Sequence, residues 1–229
     1  MKISQLECLL FDFDGTLFDS ESVIYETWLN VFKSYGHDLP LETYNLCIGS
    51  DFKQWSPQTH LEELTGETFD WDAINTERQI IIESTLNKNS ELIDGTKELI
   101  LDLIALKKLQ PLTIGVVSSS THRWVDQWLE KNNIIQHFDI IICRDDVTQL
   151  KPHPEPYLLA MSKLNAAAHK TLVIEDSING AESAHAAHAH VAVIPNYITR
   201  INTFPDYCSR YETIAKFRHS LELPSHTEV

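Results

Sequence analysis

The chain has 229 residues, 43% of them hydrophobic, with 33 Asp and Glu against 18 Lys and Arg, for a formal net charge of -15. That length suits one large domain, or one domain plus a small one, each able to bury a core. The acidic balance argues against nucleic acid or an anionic membrane as partner, and any phosphate-bearing ligand must be held by local cations rather than by the overall field.

The N-terminal stretch MKISQLECLLFDFDG carries an apolar run too short for a secretory signal and cut by Asp12. No later stretch approaches the ~18 apolar residues of a membrane span. Cys8, Cys47, Cys143 and Cys208 are scattered and form no CxxC pair, so neither a zinc site nor a disulfide framework is expected. A reduced, cytoplasmic monomer without membrane or nucleic-acid partners is the expectation.

The first predicted strand, 6–13, ends in FDFDGTLFDS, where Asp12 and Asp14 stand two residues apart. On a strand such residues share one face, and like charges held that close raise each other's pKa unless a cation is shared between them. Asp14-Gly15 alone reads as an ordinary turn. Asp12, set between Phe11 and Phe13, does not.

From Phe18 to about Ser90 no strand is evident. Ile24, Trp28, Val31 and Tyr35 recur at helical spacing, and Ile74, Ile81 and Ile82 open a second amphipathic segment. Such a block is longer than a single crossover needs, which predicts a helical cap over 18–90 inserted into a core formed by 1–17 and 91–229.

Beyond it, continuous apolar runs at 112–118, 138–143, 171–175 and 190–194 read as strands buried on both faces. Helical patterns at 95–109, 121–132, 154–165 and 177–188 alternate with them. This βαβ rhythm predicts an α/β fold, a Rossmann-like parallel sheet with helices on both sides. His185, His188 and His190 crowd SAHAAHAHVA but lack an acidic or cysteine partner in register, and are read as helix end and strand start rather than metal ligands.

Ligands of open parallel sheets bind beyond the C-terminal ends of the strands. Four segments deliver polar groups there: Asp12 and Asp14; Ser118, Ser119 and Ser120; Lys151 with Pro152; and Glu175, Asp176 and Ser177. Singly each has an ordinary explanation as cap, loop or helix start. Jointly they suit phosphoryl transfer. Mg²⁺ would relieve the Asp12 and Asp14 repulsion with help from Asp176, Lys151 would offset phosphate charge, and Ser118 or Ser119 would bind its oxygens. One carboxylate can act as nucleophile and the other as acid, then base.

The order DxDGTL, VSSS, KP and EDS closely resembles the haloacid dehalogenase superfamily of phosphotransferases, in the branch of sugar phosphatases and beta-phosphoglucomutases with a helical cap. The likeness extends to DSE at 19–21, KPHPEPYLLA at 151–160 and EDSINGAESAHAA at 175–187, and so covers nearly the whole chain. It implies that Asp12 attacks phosphorus and that Asp14 protonates the leaving oxygen and later activates water. It further implies that Asp12, the Asp14 carbonyl and Asp176 ligate Mg²⁺, with Glu175 acting through a water, and that Ser118, Ser119 and Lys151 hold the phosphate. His188 replaces a family glycine at a helix end, where His tolerates the left-handed conformation. Arg144 and Leu150 replace glycines around the third motif.

The second aspartate argues against dehalogenation, because the dehalogenases of the superfamily lack it. Mutases resemble one another in a cap loop with Lys before a Gly and Arg three residues after it; here CIGSDFKQW places Ile48 before Gly49 and Phe52 after it. The expected reaction is therefore hydrolysis of a sugar or polyol phosphate, with a beta-phosphoglucomutase-type mutase as the alternative. A receiver-like or catalytically silent phosphate-binding module is more remote. Gly49, Ser50 and Lys53 are candidate cap contacts; Trp28, Trp55 and His60 read equally well as packing or surface residues.

Overall fold

The computed structural model describes residues 3–48, 55–88, 92–221 and 223. Its sheet has six strands: β1 (Cys8–Phe11), β2 (Thr113–Val117), β3 (Ile140–Ile142), β4 (Thr171–Glu175), β5 (His190–Val193) and β6 (Cys208–Arg210). They run in the order β3-β2-β1-β4-β5-β6, and every adjacent pair is parallel. The fold class is thus α/β and Rossmann-like, as the alternating runs predict. β1 lies at the centre, with Phe11 level with Val116 on one side and Ile174 on the other, and all four of its residues are buried. That environment explains why the sequence supplies an unbroken apolar run there.

Between β1 and β2, four helices of the described residues fall within 18–90: α1 (Glu21–Ser34), α2 (Leu41–Tyr44), α3 (Pro57–Thr65) and α4 (Trp71–Lys88). Their shared core holds Trp28, Phe32, Leu39, Tyr44, Ile48 and Leu61, joined by Ile198 from beyond β5. α3 starts where Ser56 accepts the Thr59 N–H and Pro57 opens the first turn, and it stops at Gly66 in the left-handed region. In α4, Ile82 turns inward and Ile81 faces solvent, so one residue of the expected apolar pair lies on the outer face.

The remaining helices flank the sheet: α5 (Thr96–Lys107), α6 (His122–Lys131), α7 (Glu155–Leu164), α8 (Ile178–Ala186) and α9 (Ile214–Ser220). His188 adopts φ 63°, the left-handed turn its position was expected to require. Two elements escape the sequence pattern. β6 is a polar, three-residue edge strand, CSR, with no apolar run to announce it, and α9 is two turns long. The first strand also closes at Phe11, two residues earlier than its apolar run suggests. No helix among the described residues is long and apolar enough to cross a membrane.

Candidate active site

The turn after β1 is built from the inside. Phe13 stacks on Phe18 with ring centroids 5.8 Å apart, and Phe18 on Trp128 at 4.9 Å. The Phe13 carbonyl accepts the Leu17 and Phe18 N–H groups at 3.0 and 3.1 Å, closing the loop over Gly15 at φ 88°. A Cβ on Gly15 would fall 2.6 Å from Asp176 Oδ2, so only glycine allows the loop this close. With both phenylalanines committed to the core, Asp12 and Asp14 are left at the sheet's C-terminal edge.

Lys151 is buried beneath them. Its Nζ donates to Asp12 Oδ1 at 2.6 Å, Glu175 Oε1 at 2.7 Å and the Val117 carbonyl at 2.8 Å, which uses all three ammonium protons. Burial alone would lower the Lys151 pKa, but Asp12 and Glu175 reverse this and hold it well above its usual value. Glu175 is anchored in turn: Tyr157 Oη donates to Oε1 at 2.7 Å, while Ser177 Oγ and the Asp176 and Ser177 N–H groups donate to Oε2. With five donors upon it, Glu175 directs its charge at Lys151.

Asp12, Glu175 and Asp176 place a carboxylate oxygen each within 4.8 Å of one another. Three buried acids against one ammonium leave excess negative charge. Burial raises Asp12 to about 7, with Lys151 opposing the rise and Glu175 and Asp14 adding to it. Asp176 is pushed well above the usual carboxylate range, first by burial and then by Asp12 and Glu175. This oxygen-only set with surplus negative charge fits a hard divalent cation such as Mg²⁺. Asp176 is steadied by Asn196 Nδ2 at 2.7 Å and lies 3.5 Å from the Thr16 and Thr199 hydroxyls.

Asp14 faces the other way. Oδ1 accepts from Ser20 Oγ at 2.5 Å and Trp124 Nε1 at 2.8 Å; Oδ2 accepts from Ser120 Oγ at 2.6 Å and Ser118 Oγ at 3.4 Å. Above both aspartates opens a cavity of about 430 Å³, roofed by Trp28, Tyr44, Ile48, Arg78 and Ile82 and floored by Asp12, Ser118, Ser119 and Asp176.

Six expected residues therefore converge: Asp12, Asp14, Ser118, Lys151, Glu175 and Asp176. Ser119 joins them on the cavity floor, and Arg144 lies at the rim, its Nε donating to the Ser119 carbonyl at 3.0 Å. Trp28 lines the cavity, whereas Trp55 and His60 pack ring against ring at 5.5 Å. Gly49, Ser50 and Lys53 lie outside the described residues. The motifs did not point to Tyr157, Trp124, Asn196 or Arg78 as members of the site. Tyr157 sits inside KPHPEPYLLA and could have been found there; the others carry no local signal.

A family model described as haloacid dehalogenase-like hydrolase matches residues 9–194. YhcW of Bacillus subtilis, a phosphatase by assignment, is 33% identical over 218 residues, covering 95% of this chain and 96% of its own. A phosphorylated carbohydrates phosphatase of Thermotoga maritima is 28% identical, over 80% of this chain and 82% of its own. Among solved structures, CbbY from Rhodobacter sphaeroides in complex with xylulose-(1,5)bisphosphate superposes with a TM-score of 0.72 at 20% identity, covering 92% of this chain and 96% of that one.

Proposed function

We propose that this chain, which belongs to the haloacid dehalogenase-like hydrolases and is a phosphoric monoester hydrolase, releases phosphate from a small sugar or polyol phosphate through an aspartyl phosphate on Asp12. The observation that carries this reading is the placement of Lys151 Nζ, 2.6 Å from Asp12 and 2.7 Å from Glu175, buried directly beneath the Asp12 carboxylate that lines the cavity floor. A buried ammonium aimed at a nucleophilic carboxylate serves to stabilise the charge that builds as a phosphoryl group arrives.

Asp12 attacks phosphorus; a bond to its carboxylate oxygen forms as the bond to the leaving oxygen breaks. Asp14 supplies the proton that the leaving oxygen takes up, exchanging one of its four donors for that contact. Water then attacks the aspartyl phosphate, Asp14 accepts the water's proton, and cleavage returns the Asp12 carboxylate with inorganic phosphate. Ser118 and Ser119 hold the phosphoryl oxygens, and Lys151 exchanges one of its three contacts to join them. A divalent cation, with Mg²⁺ the best match, would be held by Asp12, Asp176 and the Asp14 carbonyl, with Glu175 through a water, and would neutralise charge on the transferring group.

The helices of 18–90 act as a lid over the core of 1–17 and 91–229, excluding water during the first transfer. Hydrolysis is preferred to mutase chemistry because Ile48, buried and apolar, stands where the resembled mutases carry a lysine. The test is inorganic phosphate release from a panel of sugar and polyol phosphates, with Mg²⁺ and with EDTA, alongside Asp12→Asn. Metal-dependent release that vanishes in the variant is expected. Release that persists in Asp12→Asn would overturn the reading.

A further inference from the structure

Arg78, on α4, is 8% exposed and lines the roof of the cavity. Its guanidinium lies 3.4 Å from the centroid of the Trp28 ring, and Nη1 donates to Asn75 Oδ1 at 3.1 Å. These two contacts fix the plane of the group, yet Nε is buried without an acceptor, and among the described residues no carboxylate lies within ion-pair distance. Burial lowers its pKa to about 10, so it remains a cation at neutral pH.

An unpaired buried cation is costly, all the more in a chain with 33 acidic side chains from which to draw a partner. The neighbouring acid on the same cavity wall, Glu21, makes no ion pair with it. Among the described residues, neither of the other cations near the site duplicates it: Lys151 serves the reacting end beside Asp12 and Glu175, and Arg144 sits at the rim on a backbone carbonyl. Planar guanidinium, already stacked and oriented, is suited to bind a carboxylate or phosphate with its remaining N–H groups.

We propose that Arg78 is a specificity-determining residue for a second anionic group, carboxylate or phosphate, on the leaving alcohol of the substrate. This inference rests on the hydrolase reading and narrows it: the preferred ester is not a neutral polyol phosphate.

Three esters separate the possibilities: glycerol 3-phosphate with a neutral leaving group, 3-phosphoglycerate with a carboxylate, and fructose 1,6-bisphosphate with a phosphate. The wild-type enzyme is expected to favour at least one anionic ester by about tenfold or more in kcat/KM. Arg78→Gln should erase that preference chiefly through KM, with Arg78→Lys restoring part of it. The carboxylate and phosphate arms show which anion is meant. Equal loss on all three esters in a folded Arg78→Gln protein would assign Arg78 to packing and overturn the proposal. So would the absence of any preference in the wild type. Titration calorimetry of the same esters into Asp12→Asn gives the answer without turnover. Should none of the three release phosphate, calorimetry still decides the anion site, while formation of an isomeric phosphate would overturn the hydrolytic reading alone.

Discussion

Gly180 lies against the carboxylate of Glu175 so closely that a Cβ there would fall 1.8 Å from Oε1 and 1.9 Å from Cδ. Glu175 cannot yield without releasing Lys151, Tyr157 and Ser177, because all three hold it in place. Gly180→Ala is therefore a site mutation delivered from the first turn of α8. Stability should fall by about 1–3 kcal/mol from overpacking, and phosphate release should fall far more than the loss of folded protein accounts for. Thermal unfolding and a phosphate-release assay on the same preparation check this. Wild-type turnover would show that Glu175 has room to move and that Lys151 does not depend on it.

Lys151 is the hinge of the buried charge cluster, and its removal should be felt twice. Lys151→Met fills the same space but leaves Asp12 and Glu175 facing each other without a cation. Losing one partner of a buried pair costs about 3–5 kcal/mol, so denaturant unfolding should show a large drop in stability. Turnover should be lost in the molecules that remain folded. A stable and active variant would place the ammonium outside the reaction.

Three of the four segments legible in the sequence share one property, that each ends a continuous apolar run, whereas Lys151 lies in the loop beyond β3 and was found through its KP motif. Asp12 follows CLLF, Ser118 follows TIGVV, and Glu175 closes TLVIE, so the parallel-sheet pattern alone brings their groups to one edge. The groups that position them were not legible, because their partners are chosen by folding rather than by neighbours in the chain. Trp124 reaches Asp14 across 110 residues, and Asn196 finds Asp176 from the loop after β5. Arg78 sits in a helix with no motif, and a cavity-facing arginine has the same local signature as a solvated one. β6 was missed for a similar reason: Cys208, Ser209 and Arg210 form an edge strand whose hydrogen bonds come from β5 and not from any pattern of their own.

The indole of Trp124 donates to Asp14 at 2.8 Å and shares Oδ1 with Ser20. Its N–H is committed to Asp14, so its effect should run through the orientation of that carboxylate. Trp124→Phe keeps most of the bulk against Trp128 and removes only that donor. A hydrogen bond to a charged group contributes roughly 1.5–3 kcal/mol, so kcat should fall by about tenfold or more with KM little changed. Steady-state kinetics on the preferred ester separates the two parameters. A rise in KM at constant kcat would instead make Trp124 a substrate contact.

A second cluster, at the start of α6, makes stability depend on pH. His122 lies 3.2 Å from Asp126 and 2.8 Å from Asp146. Burial would lower its pKa, but the hydrogen bonds to Asp146 and Asp126 outweigh it and hold the imidazole above its usual range. Asp146, despite partial burial, is held below the usual carboxylate range by the Cys143 N–H and by His122, and so is ionised throughout the window where His122 titrates. A group whose pKa is raised on folding contributes stability that is complete below its unfolded pKa, about 6.5 for His, and is lost as pH rises through the folded value. The cluster is half-buried and screened by water, so its worth is about 0.5 kcal/mol. His122→Gln keeps one donor but cannot charge. Unfolding free energies should therefore separate the wild type from this variant most at pH values below about 6 and bring them together in mildly alkaline solution. A difference that stays constant across that range would mean that folding leaves the His122 pKa unchanged and that its charge adds nothing to stability.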